Sequence, residues 1–415
     1  MKTILMLFLA AVTVSGQIIT PPPFDTGVWV TKSNGKRTAY KPSADTDTAR
    51  GVALEAAFAA AVAGDTIDLS PGNYLVAKAG TNMSGLLVQY VILNGMTIRL
   101  NGARLYHEAA QNTYVMFSAA LASLVNDWSV MGPGIIEGTV SSPTGSPSGE
   151  SAFYLGGGGG DVARRFRISN LTVRYFKNTG LLLDSFSWSG GELKFPTGLI
   201  DGCHFDTNNV GVDINPGSEF LRFSNSTFSF NKTALQVLAG NAIFNNCQCN
   251  GNITDGLVID VGSNHAHGSW TGGTISHNYG FGIRVTTGVT NGFTFSGVHI
   301  GGADGTTLNK IQLDGYGINI NGGELDSPIY TTEVNSGINC FDNVRITANP
   351  TTVLTNLFSG SRLKLKIRGC YTMTGFWDQN DILTTYANDA AAGTGGRLAG
   401  ELYQVTGTGV VQAKQ

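Results

Sequence analysis

GLLLD (180–184), GVDIN (211–215), ALQVL (234–238), GLVID (256–260) and GIRVT (282–286) are five copies of one short phrase. Each opens on a small residue. The next and third-next residues are aliphatic: Leu181/Leu183, Val212/Ile214, Leu235/Val237, Leu257/Ile259 and Ile283/Val285. The positions between them vary and are often polar. Alternation with period two marks a strand with one buried face. The opening residues lie 31, 23, 22 and 26 positions apart. A repeat carrying one such strand cannot bury its apolar face alone, so successive copies must stack. Stacked coils of this period predict an all-β solenoid, a single-stranded parallel β-helix.

Composition agrees. Charged residues make up 13% of the 415, too few for the outer faces of a helical bundle, and the 56 glycines suit tight β corners. The net charge is −3 with no long basic run, which argues against electrostatic nucleic-acid binding. A slightly acidic surface rich in Gly and Asn suits neutral or sugar-like ligands. No segment is long and apolar enough for a membrane span. Met1-Lys2 followed by the apolar run Ile4 to Val14 reads as an export signal with a cut at Gln17, or else as an uncleaved apolar arm that docks on a partner.

The five cysteines are odd in number, which argues against a disulfide framework. Cys203, Cys247 and Cys249 read as small thiols stacked inside the coil. Five Asn-x-Ser/Thr triplets, at Asn82, Asn170, Asn225, Asn231 and Asn252, are what chance gives in such a composition. Asn178, Asn208, Asn231 and Asn278 sit near the repeat openings and read as a hydrogen-bonded ladder in the corners.

Four segments follow. Residues 1–16 are the signal-like segment, and the Pro- and Thr-rich residues 17–45 read as an extended arm. The solenoid occupies 46–377. It begins with an amphipathic helix capped at Asp47 or Thr48, with Leu54, Phe58 and Val62 on one face and Gly64 as its stop. That helix would cover the open end of the solenoid. The Gly/Ser/Pro-rich stretch 132–161 reads as a projecting loop, and weaker coils continue near Leu325, Val344 and Ile367. Residues 378–415 form a small-residue linker and a hairpin-like tail.

The run from Asp47 to Val76, with GDTIDLSPGNYLV (64–76) at its core, resembles the opening of the pectate-lyase-like superfamily of right-handed parallel β-helices. CHFDTNNVGVDI (203–214) and ISHNYGFGIRV (275–285) resemble its generic coil, and the resemblance covers about residues 45–370. It implies the right-handed fold with an N-terminal capping helix, and a superfamily of polysaccharide lyases, glycoside hydrolases, epimerases and phage tailspikes. GELYQVTGTGVVQAK (400–414) is similar to the short C-terminal hairpins of many phage virion proteins. No catalytic residue carries over from the family.

The outward positions of the phrase supply the candidates. One column reads Leu182, Asp213, Gln236, Val258, Arg284, and the other Asp184, Asn215, Leu238, Asp260, Thr286. Strand geometry puts the Asp184 and Asp213 backbones ~8 Å apart, and Asp213 and Asp260 ~11–12 Å apart. Asp184, Asp213 and Asp260 are therefore the catalytic candidates, as paired acids of an inverting glycosidase. Alternatively, clustered acids with Arg284 suit a lyase in which the cation neutralises a uronate. Gln236, Arg284 and Trp270 are the substrate-binding candidates, Trp270 as a sugar-stacking ring. A solvated face is the plain alternative, because Leu182, Leu238 and Val258 share the columns. His265 and His267 lack a third ligand, so no metal site is assigned. A bound calcium belongs only to the lyase reading.

Three functions follow. One is a virion tailspike or fibre that binds, and cleaves or does not cleave, a cell-surface glycan. The resemblance implies a homotrimer for it, with a virion partner at the N-terminal arm. The second is a secreted lyase or hydrolase, and the third a passive extracellular solenoid. Arm, linker and tail favour the first, although an export signal is at odds with cytoplasmic phage assembly.

Overall fold

A computed structural model describes residues 26–377 except 78–79, 84–85, 109–114, 120–124, 141, 144–148, 157–162, 185–197, 217, 239, 261–265, 303–309, 328, 331–337, 347–363 and 373–374, together with 385–386, 402–405 and 411–413. The chain is a right-handed parallel β-helix. Each coil contributes to three parallel sheets in turn. In one coil the strands are Gly198–Asp201, His204–Asp206 and Val210–Ile214, and the next coil lays Leu221–Ser224, Thr227–Ser229 and Thr233–Val237 beside them in register.

The quoted phrase is the strand of the third sheet. Leu183, Ile214, Val237, Ile259 and Val285 stack in that order and all are buried. The stack runs beyond the phrase, through Leu155, Ala119 and Ile92 on one side and Leu313 on the other. Each such aliphatic side chain contributes about 1.5–3 kcal/mol of burial, and no coil secures it without its neighbours.

A second stack fills the corner between the second and third sheets. Asn208, Asn231, Asn252 and Asn278 are completely buried. The Oδ1 of Asn231 accepts from the backbone N and Nδ2 of Asn208, at 2.8 and 3.1 Å. The same pair of bonds joins Asn231 to Asn252 and Asn252 to Asn278. Each side chain thus satisfies a corner amide that no strand can reach. The ladder differs from expectation at two places. Asn178 stands apart, its Nδ2 donating to Ser151 Oγ, and Asn252 is a member. The triplets at Asn231 and Asn252 are consequently closed to any modifying enzyme.

The helix Asp47–Ala60 covers the first coil. Thr46, rather than Asp47 or Thr48, is its cap, accepting from the Ala49 backbone N. The buried face is Gly51, Ala53, Leu54 and Ala57, while Val62 lies past the helix end and is exposed. Gly51 sets the approach, since a Cβ there would meet Leu75 O at 2.0 Å. Val28–Thr31 and Arg37–Tyr40, inside the stretch expected to be an extended arm, instead form a hairpin, whose first strand pairs antiparallel with Thr66–Leu69. The alternating Val28 and Val30 give that strand a face to bury. Residues 1–25, with the export-signal expectation, lie outside the described residues.

The stretch 132–161 is not one loop. Ser129–Glu137 is a strand of the first two sheets and Ser151–Gly156 a buried strand of the third, which the glycine and serine content had concealed. Near the C-terminus Leu402–Val405 and Val411–Ala413 pair antiparallel as a hairpin. None of the five cysteines forms a disulfide, and Cys203, Cys247 and Cys249 are buried as expected. Burial pushes the Cys203 thiol up to about 12 and the Cys247 thiol to about 11, so neither is a nucleophile near neutral pH. No described helix is long and apolar enough to cross a membrane.

Candidate functional site

The outward column of the third sheet runs in register from Tyr154 through Leu182, Asp213, Gln236, Val258 and Arg284 to Gln312. Its neighbours Asp184 and Asp260 stand one residue beyond the inward ladder. The sheet therefore puts Asp184 one coil and two residues from Asp213, a backbone separation of ~8 Å from strand spacings.

Asp213 is the unusual member. Its Oδ1 is buried and accepts no hydrogen bond. Burial raises its carboxyl, and the charge of Asp184 raises it further, to about 6. An uncompensated carboxylate in a desolvated position holds its proton more tightly. Asp184 is oriented by Tyr154, whose hydroxyl donates to its Oδ2 at 3.0 Å. The two acids are thus coupled, one fixed by a tyrosine and the other short of partners.

The remaining candidates divide. Asp260 accepts from Thr286 Oγ1 at 2.6 Å and lies two coils beyond Asp213, outside the acid pair. Gln236 follows Asp213 directly in the column. Arg284 faces outward but is already engaged, its Nη2 standing 2.9 Å from Asp255 Oδ2. Burial raises the Asp255 carboxyl and Arg284 draws it back down. This pairing occupies the cation that a lyase would turn towards a uronate.

Trp270 is corrected outright. It is fully buried, stacks on Phe244 with centroids 4.9 Å apart, and donates from Nε1 to Gly272 O. It continues an interior aromatic stack from Phe223 and cannot touch a sugar. His267 lies 4.0 Å from Glu219, and His265 lies outside the described residues. Among the described residues no three His, Cys, Asp or Glu side chains converge as a metal site would require.

Sequence reading missed one polar cluster altogether. His107 is buried, with Nδ1 against Glu150 Oε1 and Nε2 2.8 Å from Gln89 Oε1. Glu150 Oε2 also accepts from Thr139 N and Oγ1. Its members come from different coils, so no local motif announces them. All three large side chains are sealed from solvent, which makes the cluster an interior brace.

No protein-family model matches the sequence. No curated relative matches it either. Among solved structures, the A-module of the Azotobacter vinelandii mannuronan C-5 epimerase AlgE4 is similar over 79% of this chain and 91% of that module, at 14% identity and TM-score 0.52. The AlgE6 A-module of the same organism is similar over 78% and 90%, at 14% identity and TM-score 0.51. The tailspike of Escherichia coli bacteriophage HK620, solved with a pentasaccharide, aligns over 84% of this chain and 60% of its own length, at 12% identity and TM-score 0.44. At these identities the likeness is one of fold.

Proposed function

We propose that the chain is an extracellular or virion-borne β-helix that binds a polysaccharide along the outer face of its third sheet and cleaves it at the Asp184–Asp213 pair. The observation that carries this reading is Asp213, whose Oδ1 is buried without a hydrogen bond one coil from Asp184, surroundings that raise its carboxyl to about 6. A proton donor for a glycosidic oxygen must keep its proton near working pH, while its partner activates water. In this reading Asp213 protonates the leaving oxygen and Asp184, steadied by Tyr154, takes the proton of the attacking water. The two carboxyls project from adjacent coils, and inversion of configuration is the expected outcome where a water fits between them. Epimerase modules named for mannuronan share the fold, which supports a saccharide ligand. The engagement of Arg284 by Asp255 favours hydrolysis over elimination.

The test is release of reducing ends from a panel of neutral, cationic and anionic polysaccharides. Asp213→Asn should abolish release and leave the fold intact, whereas Asp260→Asn should retain it. Unchanged turnover in Asp213→Asn would return the face to a solvated surface. The virion assignment rests on the C-terminal hairpin and is tested by light scattering. A stable trimer favours a spike, and a monomer favours a secreted enzyme.

A further inference from the structure

The corner between the second and third sheets carries one left-handed residue in each of six consecutive coils. These are Tyr175, Thr207, Phe230, Gly251, His277 and Gly302, with φ of 66°, 54°, 55°, 67°, 54° and 81°. They form one column. The backbone N of each of the first five donates to the carbonyl immediately preceding the next member, namely Asp206, Ser229, Asn250, Ser276 and Gly301. Glycine is the residue this conformation favours, and two coils have it. Three alternate coils have a ring instead.

Two of those rings are displayed and the third, Tyr175, is half-buried. Phe230 is 60% exposed, His277 is exposed, and Tyr279 on the same corner is 62% exposed. Each of the two column rings lies over the glycine of the next coil. A Cβ on Gly251 would stand 3.0 Å from the Phe230 ring, and one on Gly302 would stand 2.4 Å from the His277 ring. The Tyr175 ring is held beneath the Arg174 guanidinium, 4.9 Å from its centroid. Core packing explains none of these rings, and the backbone is strained to hold them.

We infer that this corner is a glycan-stacking ridge, a binding site separate from the acid pair. Rings recur every second coil, ~9.6 Å from the strand spacing, along a straight axis. That interval is the length of two pyranose rings in an extended chain, and aromatic faces pack on the apolar faces of sugars. The few cations here, Arg174, Lys177 and Lys232, are too sparse for a nucleic-acid backbone. The third-sheet strands start from this same corner, so a chain lying on the ridge runs beside the column containing Asp213. The inference rests on the reading that this protein binds polysaccharide, and it adds where the unreacted part of the chain is held.

The experiment uses the full chain in affinity electrophoresis through gels containing dextran, chitosan or alginate, with the double variant Phe230→Gly/His277→Gly. Glycine fits the left-handed corner, so the variant should melt at or above the wild-type temperature while its dissociation constant rises at least tenfold. Phe230→Leu, which keeps apolar bulk without the ring, should also weaken retardation. Asp213→Asn should lose turnover, whereas the double variant should keep it at saturating polysaccharide, which separates the ridge from the acid pair. Wild-type retardation of the double variant, with turnover still lost in Asp213→Asn, overturns the ridge and leaves the catalytic reading standing. A lower melting temperature with unchanged retardation makes the rings structural and overturns it too. A change in oligomeric mass makes the ridge a subunit contact and overturns it. No retardation of the wild type in any gel overturns both readings.

Discussion

Replacing Asp213 by Asn should stabilise the protein at alkaline pH and leave it unchanged in acid. The carboxyl sits at about 6 in the folded chain and at about 3.9 in an unfolded one. Folding therefore favours the protonated form. That contribution is fully present below about pH 3.9 and is lost as the pH rises through about 6. The difference of about 2 units corresponds to an upper limit of about 3 kcal/mol. Solvent relaxation around a half-buried group reduces this to about 1–2 kcal/mol. Asparagine cannot ionise, so the variant should gain that amount at pH 8 and nothing at pH 4. A solenoid need not unfold in one step, so the suitable assay is hydrogen exchange at the amides of Ile214 and Val237, followed at both pH values. Equal protection differences at the two pH values would refute the reasoning, as would a loss of protection at pH 8. In activity the same group should give kcat/KM an alkaline limb near pH 6, since the donor is lost above it.

Three further outcomes follow from the frame. Asn252→Ala removes the acceptor for both the backbone N and Nδ2 of Asn231, and should cost about 2–4 kcal/mol in denaturant unfolding; a cost below 1 kcal/mol would mean that water replaces the ladder. Gly51→Ala drives a Cβ into Leu75 O, so the helix must lift, and exchange at Thr66–Leu69 should accelerate while the coils beyond Val210 keep their protection. Trp270→Ala should cost about 3–5 kcal/mol through the cavity left beside Phe244, with glycan affinity unchanged in the folded fraction; weakened affinity at full folding would restore a contact with ligand.

The fold was legible because a period-two pattern repeated at coil spacing has one economical solution. Leu183 to Val285 stack as the phrase requires, and the neighbouring coils extend the same register. Legibility failed where composition masked pattern. SAFYLG (151–156) puts Phe153 and Leu155 in the inward register of the phrase, but it sits between glycine and serine runs that read as loop. Trp270 was also within reach of the same method. Phe223, Phe244, Trp270 and Phe295 share one register position, so a tryptophan there completes a stack. The coupling of Asp184 to Asp213 followed from strand spacing. The Arg284–Asp255 pair and the His107–Glu150 brace did not, because side-chain reach across coils is fixed by packing rather than by periodicity. The left-handed corner was equally hidden, since Phe230 and His277 look like ordinary polar-loop residues until their φ is known.

The apolar members of the outward column, which at first favour a bland surface, are what make Asp213 chemically useful. Leu182 pairs directly with Asp213, and Val258, two coils further, is buried. A wholly polar column would solvate the carboxylate and leave it near its ordinary value. Desolvation by such neighbours is the larger cause of its rise, and the Asp184 charge the smaller. Leu182→Asn should therefore act as a remote titration variant. Its side chain points outward, so the inner ladder keeps its contacts and the cost falls on the outer cluster of Val88, Val115 and Tyr154 against which it packs. The amide would hydrate Asp213 and supply a donor within reach of its unpartnered Oδ1. The alkaline limb of kcat/KM should then move from near 6 towards the ordinary carboxylate range, with turnover at pH 7 falling about tenfold for each unit moved. Asp184→Asn removes the general base, so the Asp213 carboxyl is there titrated directly by NMR, and it should move less than in Leu182→Asn because only the smaller cause is gone. A carboxyl titration unmoved by Leu182→Asn but shifted by Asp184→Asn would reverse that order and assign the raised acidity constant to charge repulsion rather than to the apolar column.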